Sequence, residues 1–193
     1  MQTILISPET RAKYETETYT ALLNEGLDVI HIRKPFFTME EMQNFLSDLP
    51  EYVLKYCMIH SHHQLIKNYA LKGIHFTSNA KFECKAYPFQ VSRSCHSVDE
   101  VELYSGTHDY VFLSPIFDSI SKPKYTRRFA EHTLKQINKD YHNIIALGGI
   151  EANKIGVVKS LGFNGYALLG SLWKWETVQE RVRAFKMMKV HDE

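Results

Sequence analysis

Apolar runs of strand length alternate with segments of helical spacing from one end of this chain to the other, in eight successive pairs. Repeated strand–helix units imply a parallel sheet, and eight of them close into a single (β/α)8 TIM barrel, an α/β fold. A second observation is the stretch IIALGGIEANKIGVVKSLGFNGYALLGSLW, Ile144 to Trp173, which reads as strand, helix, strand, short helix. Each of its strands is a continuous apolar run, the mark of a strand buried on both faces, and each ends in Gly beside a helix start. A third is that no linker or low-complexity tract interrupts the pattern, so one domain over residues 1–193 is expected. The chain is short for a barrel and its connections must be tight. A seven-unit open doubly wound sheet is the alternative architecture.

The elements follow in order. Thr3 to Ile6 reads as the first strand, followed by a helix from about Arg11 to Leu23 that Gly26 ends. Asp28 to Ile32 is strand two, and Thr38-x-x-Glu41 matches a capping box opening a helix through Leu46. Tyr56 to Ile59 is strand three, with a helix from about Gln64 to Leu71 stopped by Gly73. Ile74 to Phe76 is a brief strand four, and Thr77 to Pro88 has no periodicity. Phe89 to Ser92 is strand five, Ser97-x-x-Glu100 a further capping box, and Asp109 to Leu113 strand six. A long loop, Ser114 to Arg128, precedes a helix from about Ala130 to Ile137.

Composition narrows the class of function. A formal net charge of +1 offers no electrostatic reason to expect nucleic acid or an anionic membrane as partner. No apolar run approaches the ~20 residues needed to cross a bilayer. Three cysteines without a CxxC pair argue against a disulfide framework, and a cytoplasmic location is expected.

In a barrel the strand ends define one face, and polar residues there are the site candidates. These are His31, Arg33 and Lys34 after strand two, His60 to His63 after strand three, and His75 on strand four. Ser92, Ser94 and His96 follow from strand five, and Ser114, Asp118, Ser119, Ser121 and Lys122 from strand six. Gly148, Gly149, Gly170 and Ser171 end the last two strands, where backbone N–H groups with a helix dipole behind them suit a phosphate. Arg33, Lys34 and Lys122 add positive charge, so the face suits small phosphorylated ligands. Cys95-His96 are sequence neighbours that face opposite ways on a strand, which argues for packing rather than a nucleophile pair. Lys122, Lys124, Arg127 and Arg128 form a basic loop that suits a flap over such a ligand.

The motifs HIRKP, GIHF, SRSCHSVDE, DYVFLSPIFDSISK, IIALGGI and YALLGS, in this order and spacing, resemble the thiamine-phosphate synthase and thiazole tautomerase family. The resemblance runs from about Ile4 to Trp173. It implies a (β/α)8 barrel that joins an aminopyrimidine diphosphate to a thiazole phosphate and releases diphosphate. It also implies that the turns at Gly148-Gly149 and Gly170-Ser171 hold the thiazole phosphate, that Arg33, Ser94 and Lys122 hold diphosphate, and that Mg²⁺ assists. A homodimer is compatible with it.

The sequence departs from the family pattern where metal matters. A synthase has Asn-Asp after strand three and a further Asp beyond strand four. Here the aligned residues are His60-Ser61 and Thr77-Ser78-Asn79-Ala80. Pro35 stands where the family has a Lys, with Lys34 next door, and Pro115 stands at the His used by the tautomerases. Mg²⁺ wants carboxylate oxygen, so activity of the ordinary Mg²⁺-dependent kind is in doubt. Two alternatives stand beside it. One is a non-catalytic or regulatory binder of thiazole phosphate or thiamine phosphate. The other is a metal-dependent hydrolase that uses the barrel-mouth histidines, since neutral imidazole is a common metal ligand.

Overall fold

Eight parallel strands pair in chain order and close on themselves in a computed structural model, which describes residues 1–81, 86–118 and 129–192. The strands are β1 (Gln2–Ile6), β2 (Val29–Ile32), β3 (Cys57–Ile59), β4 (Gly73–Phe76), β5 (Gln90–Cys95), β6 (Tyr110–Leu113), β7 (Ile144–Ala146) and β8 (Gly165–Leu168). β8 returns to β1 with Ala167 opposite Ile4, so the sheet has no open edge. The helices are α1 (Glu15–Asn24), α2 (Met39–Ser47), α3 (Glu51–Leu54), α4 (Val98–Tyr104), α5 (Glu131–Asp140), α6 (Ile155–Ser160), α7 (Gly170–Trp173) and α8 (Val178–Val190). Among the described residues no helix is long and apolar enough to cross a membrane.

Strand residues alternate between two cores because successive side chains leave a strand on opposite faces. Ile4, Ile6, Val29, Met58, Phe112, Ile145 and Ala167 point inward and fill the barrel. Their neighbours Leu5, Ile30, Ile59, Val91, Val111, Ile144 and Leu168 point outward, against Leu22, Met42, Leu134, Ile155 and Phe185 of the helices. Each such Leu or Ile contributes on the order of 1.5–3 kcal/mol when fully buried. This double burial explains why the strands read as unbroken apolar runs rather than alternating ones.

Several boundaries differ from expectation, each for a local reason. The first helix begins at Glu15 rather than near Arg11, because Tyr14 is in the left-handed region (φ 58) and the Glu15 carboxylate accepts from the Ala12 N–H. The segment after β3 is only a 3-10 turn, His63–Lys67, entered through a left-handed His62 (φ 54). Gly73 does not stop a helix but opens β4. A Cβ there would sit 1.9 Å from the Gln90 carbonyl oxygen and 2.8 Å from the Met58 sulfur, so the strand crossing requires Gly. The capping box at Thr38 and Glu41 is complete. At Ser97 only half of the box forms, because the Glu100 carboxylate accepts from the His96 N–H instead. The helix expected between the last two strands is a 3-10 turn (Ala152–Lys154) running into α6. α8 was not among the expected elements, although Thr177 and Glu180 form a capping box at its start.

Candidate active site

The alternation that builds the two cores also selects which polar residues reach the C-terminal mouth. On β2 the inward series Val29, His31, Arg33 ends at the mouth, and on β5 the series is Ser92, Ser94, His96. Arg33, His60, Thr77, Ser94, His96, Ser114, Gly148 and Leu169 line one cavity of about 270 Å³, floored by Ile6 and Phe112. Residues on or just after all eight strands thus contribute to a single concave site, the arrangement expected at this face of a barrel.

Arg33 is held at the rim. Its backbone N–H donates to Ser7 Oγ at 2.8 Å, Ser7 Oγ donates to the Arg33 carbonyl at 3.2 Å, and its guanidinium donates to Glu9 at 2.5 Å. The guanidinium is about one-third exposed, so an incoming anion competes with Glu9 for it. His96 Nδ1 lies 3.1 Å from both the carbonyl and the hydroxyl oxygen of Ser114, which ties the end of β5 to that of β6.

Beneath Arg33 and Ser94 lie three imidazoles. His31 Nδ1 and His60 Nε2 are 2.9 Å apart, and His60 stacks on His75 with ring centroids 4.1 Å apart. Tyr110 Oη meets His31 Nε2 at 2.5 Å, while Ser92 and Ser94 hydroxyls meet the two nitrogens of His75 at 2.8 and 2.9 Å. Burial pushes the pKa of all three histidines well below the ordinary imidazole value, and their neighbouring imidazoles lower it further. At neutral pH the cluster is therefore uncharged, with each ring able to accept at one nitrogen and donate at the other. Burial likewise raises the Tyr110 phenol, which stays protonated.

The glycine turns lie on the same face. Gly148 and Gly149 have φ of 98 and 64, and a Cβ on Gly149 would sit 2.3 Å from the Asp118 carbonyl oxygen. These glycines therefore let the segment after β6 close over the end of β7, where Phe117 N–H donates to the Gly148 carbonyl. β7 and β8 are adjacent and parallel, with Ala146 opposite Tyr166, so the turns at Gly149 and Gly170 emerge side by side. Gly170 and Ser171 open α7 directly, and the first N–H groups of a helix have no carbonyl behind them.

Three candidates lie elsewhere. Lys34 is not at the mouth. It follows Arg33, so it points outward between sheet and helices, is fully buried, and donates to both Glu15 oxygens at 2.7 and 3.0 Å. His62 bonds the Phe37 carbonyl at 2.8 Å, away from the cavity lining. Ser171 lines a separate groove with Glu151, Lys174 and Trp175. Ser119, Ser121 and Lys122 lie outside the described residues, as do Lys124, Arg127 and Arg128. Cys95 is buried, and burial together with Glu100 pushes its thiol up to about 12, which is no nucleophile at neutral pH. Tyr110 was not a sequence candidate. It stands two and four residues before Phe112 and Ser114, and that inward spacing was the available signal.

The Mg²⁺ that the resemblance implies does not fit the residues present. Among the described residues, those lining the cavity supply imidazole nitrogen, hydroxyl oxygen and a guanidinium, with no carboxylate. Ser61, aligned with a family Asp, has a buried hydroxyl without a hydrogen-bond partner. A hard cation that demands oxygen ligands has no charged oxygen to bind here.

Comparison with known proteins agrees with the fold. The family model described as thiamine monophosphate synthase matches residues 3–172. A thiamine-phosphate synthase of Lysinibacillus sphaericus (strain C3-41) is 32% identical over 98 residues, 49% of this chain and 46% of that protein, so the matched stretch spans about half its length. One from Dictyoglomus thermophilum is 24% identical over 178 residues, 84% of this chain and 77% of that protein. Among solved structures, thiamine phosphate pyrophosphorylase from Bacteroides thetaiotaomicron superposes with a TM-score of 0.83 at 30% identity, covering 99% of this chain and 97% of that one. The closed eight-strand barrel, the glycine turns after β7 and β8, and a match over nearly the whole chain lead to one conclusion: the chain belongs to the thiamine monophosphate synthase family.

Proposed function

We propose that this protein acts in thiamine biosynthesis at the cavity of Arg33, His60, Ser94 and Gly148, joining an aminopyrimidine diphosphate to a thiazole phosphate. In this reaction the C–O bond to diphosphate breaks heterolytically. The electron pair leaves with diphosphate, and the thiazole nitrogen lone pair closes a C–N bond to the resulting pyrimidine methylene cation. Arg33 and Ser94 bind the leaving diphosphate, with Lys122 as a further cation. The backbone N–H groups at Gly149 and Gly170 take the phosphate of the thiazole. Positive charge already in place where negative charge grows lowers the barrier without reorganisation.

The observation that carries this reading is the placement of Arg33 and Ser94 around the same cavity as the glycine turn of β7. The test is condensation of the two substrates by the purified chain, followed as thiamine phosphate formed. Without a fitting Mg²⁺ site the rate is expected to be low and only weakly Mg²⁺-dependent. Turnover at ordinary enzyme rates that stops on removal of Mg²⁺ would refute that expectation.

A second reading is a non-catalytic binder of thiazole phosphate or thiamine phosphate. It is favoured by one observation, the lack of carboxylates in the cavity lining among the described residues. Calorimetric binding of either phosphate ester without turnover would establish it over the synthase. Of the histidines the metal-dependent hydrolase would use, His31, His60 and His75 are the ones whose ring nitrogens come together among the described residues.

A further inference from the structure

We propose that His31, His60 and His75 form a binding site for one late first-row divalent cation of the Zn²⁺, Co²⁺ or Ni²⁺ class, and not for Mg²⁺. One ring nitrogen from each histidine lies within 4.8 Å of one from each of the others. Three imidazoles on a tetrahedral cation at Zn–N of about 2.0–2.1 Å place their nitrogens about 3.3 Å apart and their ring centroids about 5 Å apart. The His31 ring is already 5.1 Å from both His60 and His75. The His31 and His60 nitrogens face each other at 2.9 Å and must part by about 0.4 Å, while the stacked His60–His75 pair, with centroids 4.1 Å apart, must open by about 1 Å and tilt its nearly parallel rings toward one point. These two movements bring all three to the tetrahedral spacing.

The surroundings are those a bound metal needs. A ligating imidazole is held by a hydrogen bond at its other nitrogen, which sets its tautomer and orientation. Tyr110 does this for His31 at Nε2, leaving Nδ1 for the cation. For His75, whichever nitrogen turns inward, a serine hydroxyl holds the other: Ser92 at Nδ1 or Ser94 at Nε2. His60 lines the mouth cavity together with Arg33 and Ser94, so a fourth ligand would reach the cation from that cavity. Three nitrogen ligands with an open position select borderline cations, with affinity following the order Co²⁺ < Ni²⁺ and Zn²⁺ well above Mg²⁺. That such a cation meets the diphosphate there rests on the synthase reading; its binding does not.

The test is titration of the chelator-stripped full chain with Co²⁺, read by the visible d–d absorption of a low-symmetry site and by competition with Zn²⁺ and Mg²⁺. One equivalent per chain is expected, displaced by Zn²⁺ and untouched by Mg²⁺. His60→Ala should weaken Co²⁺ binding by at least about 100-fold and Tyr110→Phe by about 10-fold. Combined His132→Ala, His142→Ala and His191→Ala, at exposed positions, should leave it unchanged. X-ray absorption of the Zn²⁺-loaded wild type should show three imidazoles, which decides the matter even if His60→Ala folds poorly. Absence of a Co²⁺ band, loss of binding in the surface triple variant, or Mg²⁺ competing as well as Zn²⁺ overturns the proposal. Substrate condensation in a protein that takes up no Co²⁺ refutes this site and leaves the synthase reading standing. Tight metal binding without condensation does the reverse.

Discussion

Replacing Glu15 by Ala should be among the most damaging single changes in this barrel. Lys34 Nζ is fully buried and has three acceptors, the two Glu15 oxygens and the Thr10 carbonyl at 2.8 Å, with the Phe45 ring centroid 5.1 Å away. Glu15 Oε1 also accepts from the Tyr19 hydroxyl at 2.6 Å. Removing the carboxylate leaves an uncompensated buried ammonium, which costs about 3–5 kcal/mol. The ammonium can escape that only by losing its proton, and neutralising an ordinary lysine at pH 7 costs about 4.6 kcal/mol. Burial already lowers the Lys34 pKa, which reduces that second figure and brings the two routes together. At about 2–4 °C per kcal/mol for a chain of this size, Glu15→Ala should lower Tm by about 6–20 °C. Thermal unfolding followed by circular dichroism, with Trp fluorescence as a second probe, measures it, since Trp173 packs edge-on against Tyr19 at 6.1 Å. The double variant Glu15→Leu with Lys34→Met removes both charges and should recover most of the loss. A single variant that loses less than about 1 kcal/mol, or a double variant as unstable as the single, would refute the reasoning.

Gly149→Ala combines a left-handed backbone with a Cβ 2.3 Å from the Asp118 carbonyl oxygen, so calorimetry should show loss of phosphate-ester binding and Tm should fall. Arg33→Ala should weaken inorganic diphosphate at least about tenfold, as expected for a charge-assisted contact of 1.5–3 kcal/mol, with Tm nearly unchanged because its guanidinium is partly exposed. In EDTA-treated protein, stability should fall as pH drops below about 6.5. Above that pH the three cluster imidazoles are neutral in both states and contribute nothing to the slope. Below it the unfolded chain takes up protons that the folded chain, with its depressed imidazole pKa values, does not, so each histidine removes up to about 1.4 kcal/mol per pH unit until its folded pKa is reached. His60→Gln should shrink the slope of denaturant-derived stability against pH, and an unchanged slope would show that other groups set it. Ser61→Asp with Ala80→Asp should introduce Mg²⁺ dependence into thiamine phosphate formation if those positions face the diphosphate.

The site was legible to the extent that strand ends were legible. Arg33, His60, Ser94, His96 and Gly148 were candidates because each follows an apolar run, and all of them line the cavity. Lys34 had the same credentials and lies on the wrong side of the sheet, because one residue along a strand is a change of face. The sequence shows where a strand ends to within about two residues, which is too coarse to assign that parity. Tyr110 was passed over because an aromatic in an apolar strand reads as core until its hydroxyl is seen against His31.

Alternation of apolar runs and helical segments, with glycines after the last two strands, was enough by itself to determine a parallel α/β sheet with polar strand ends and to favour the eight-stranded barrel over an open doubly wound sheet. Those features are local: a strand buried on both faces reads as apolar throughout, and a turn with positive φ favours Gly. Which polar side chains share a space was decided only by closure of the sheet. His31 and His75 lie on β2 and β4 and His60 just after β3, up to 44 residues apart in sequence, and they meet because β2, β3 and β4 are neighbours in register around one axis. Their depressed pKa values arise chiefly from that enclosure, since a barrel interior excludes water, and the imidazoles it gathers lower one another's further.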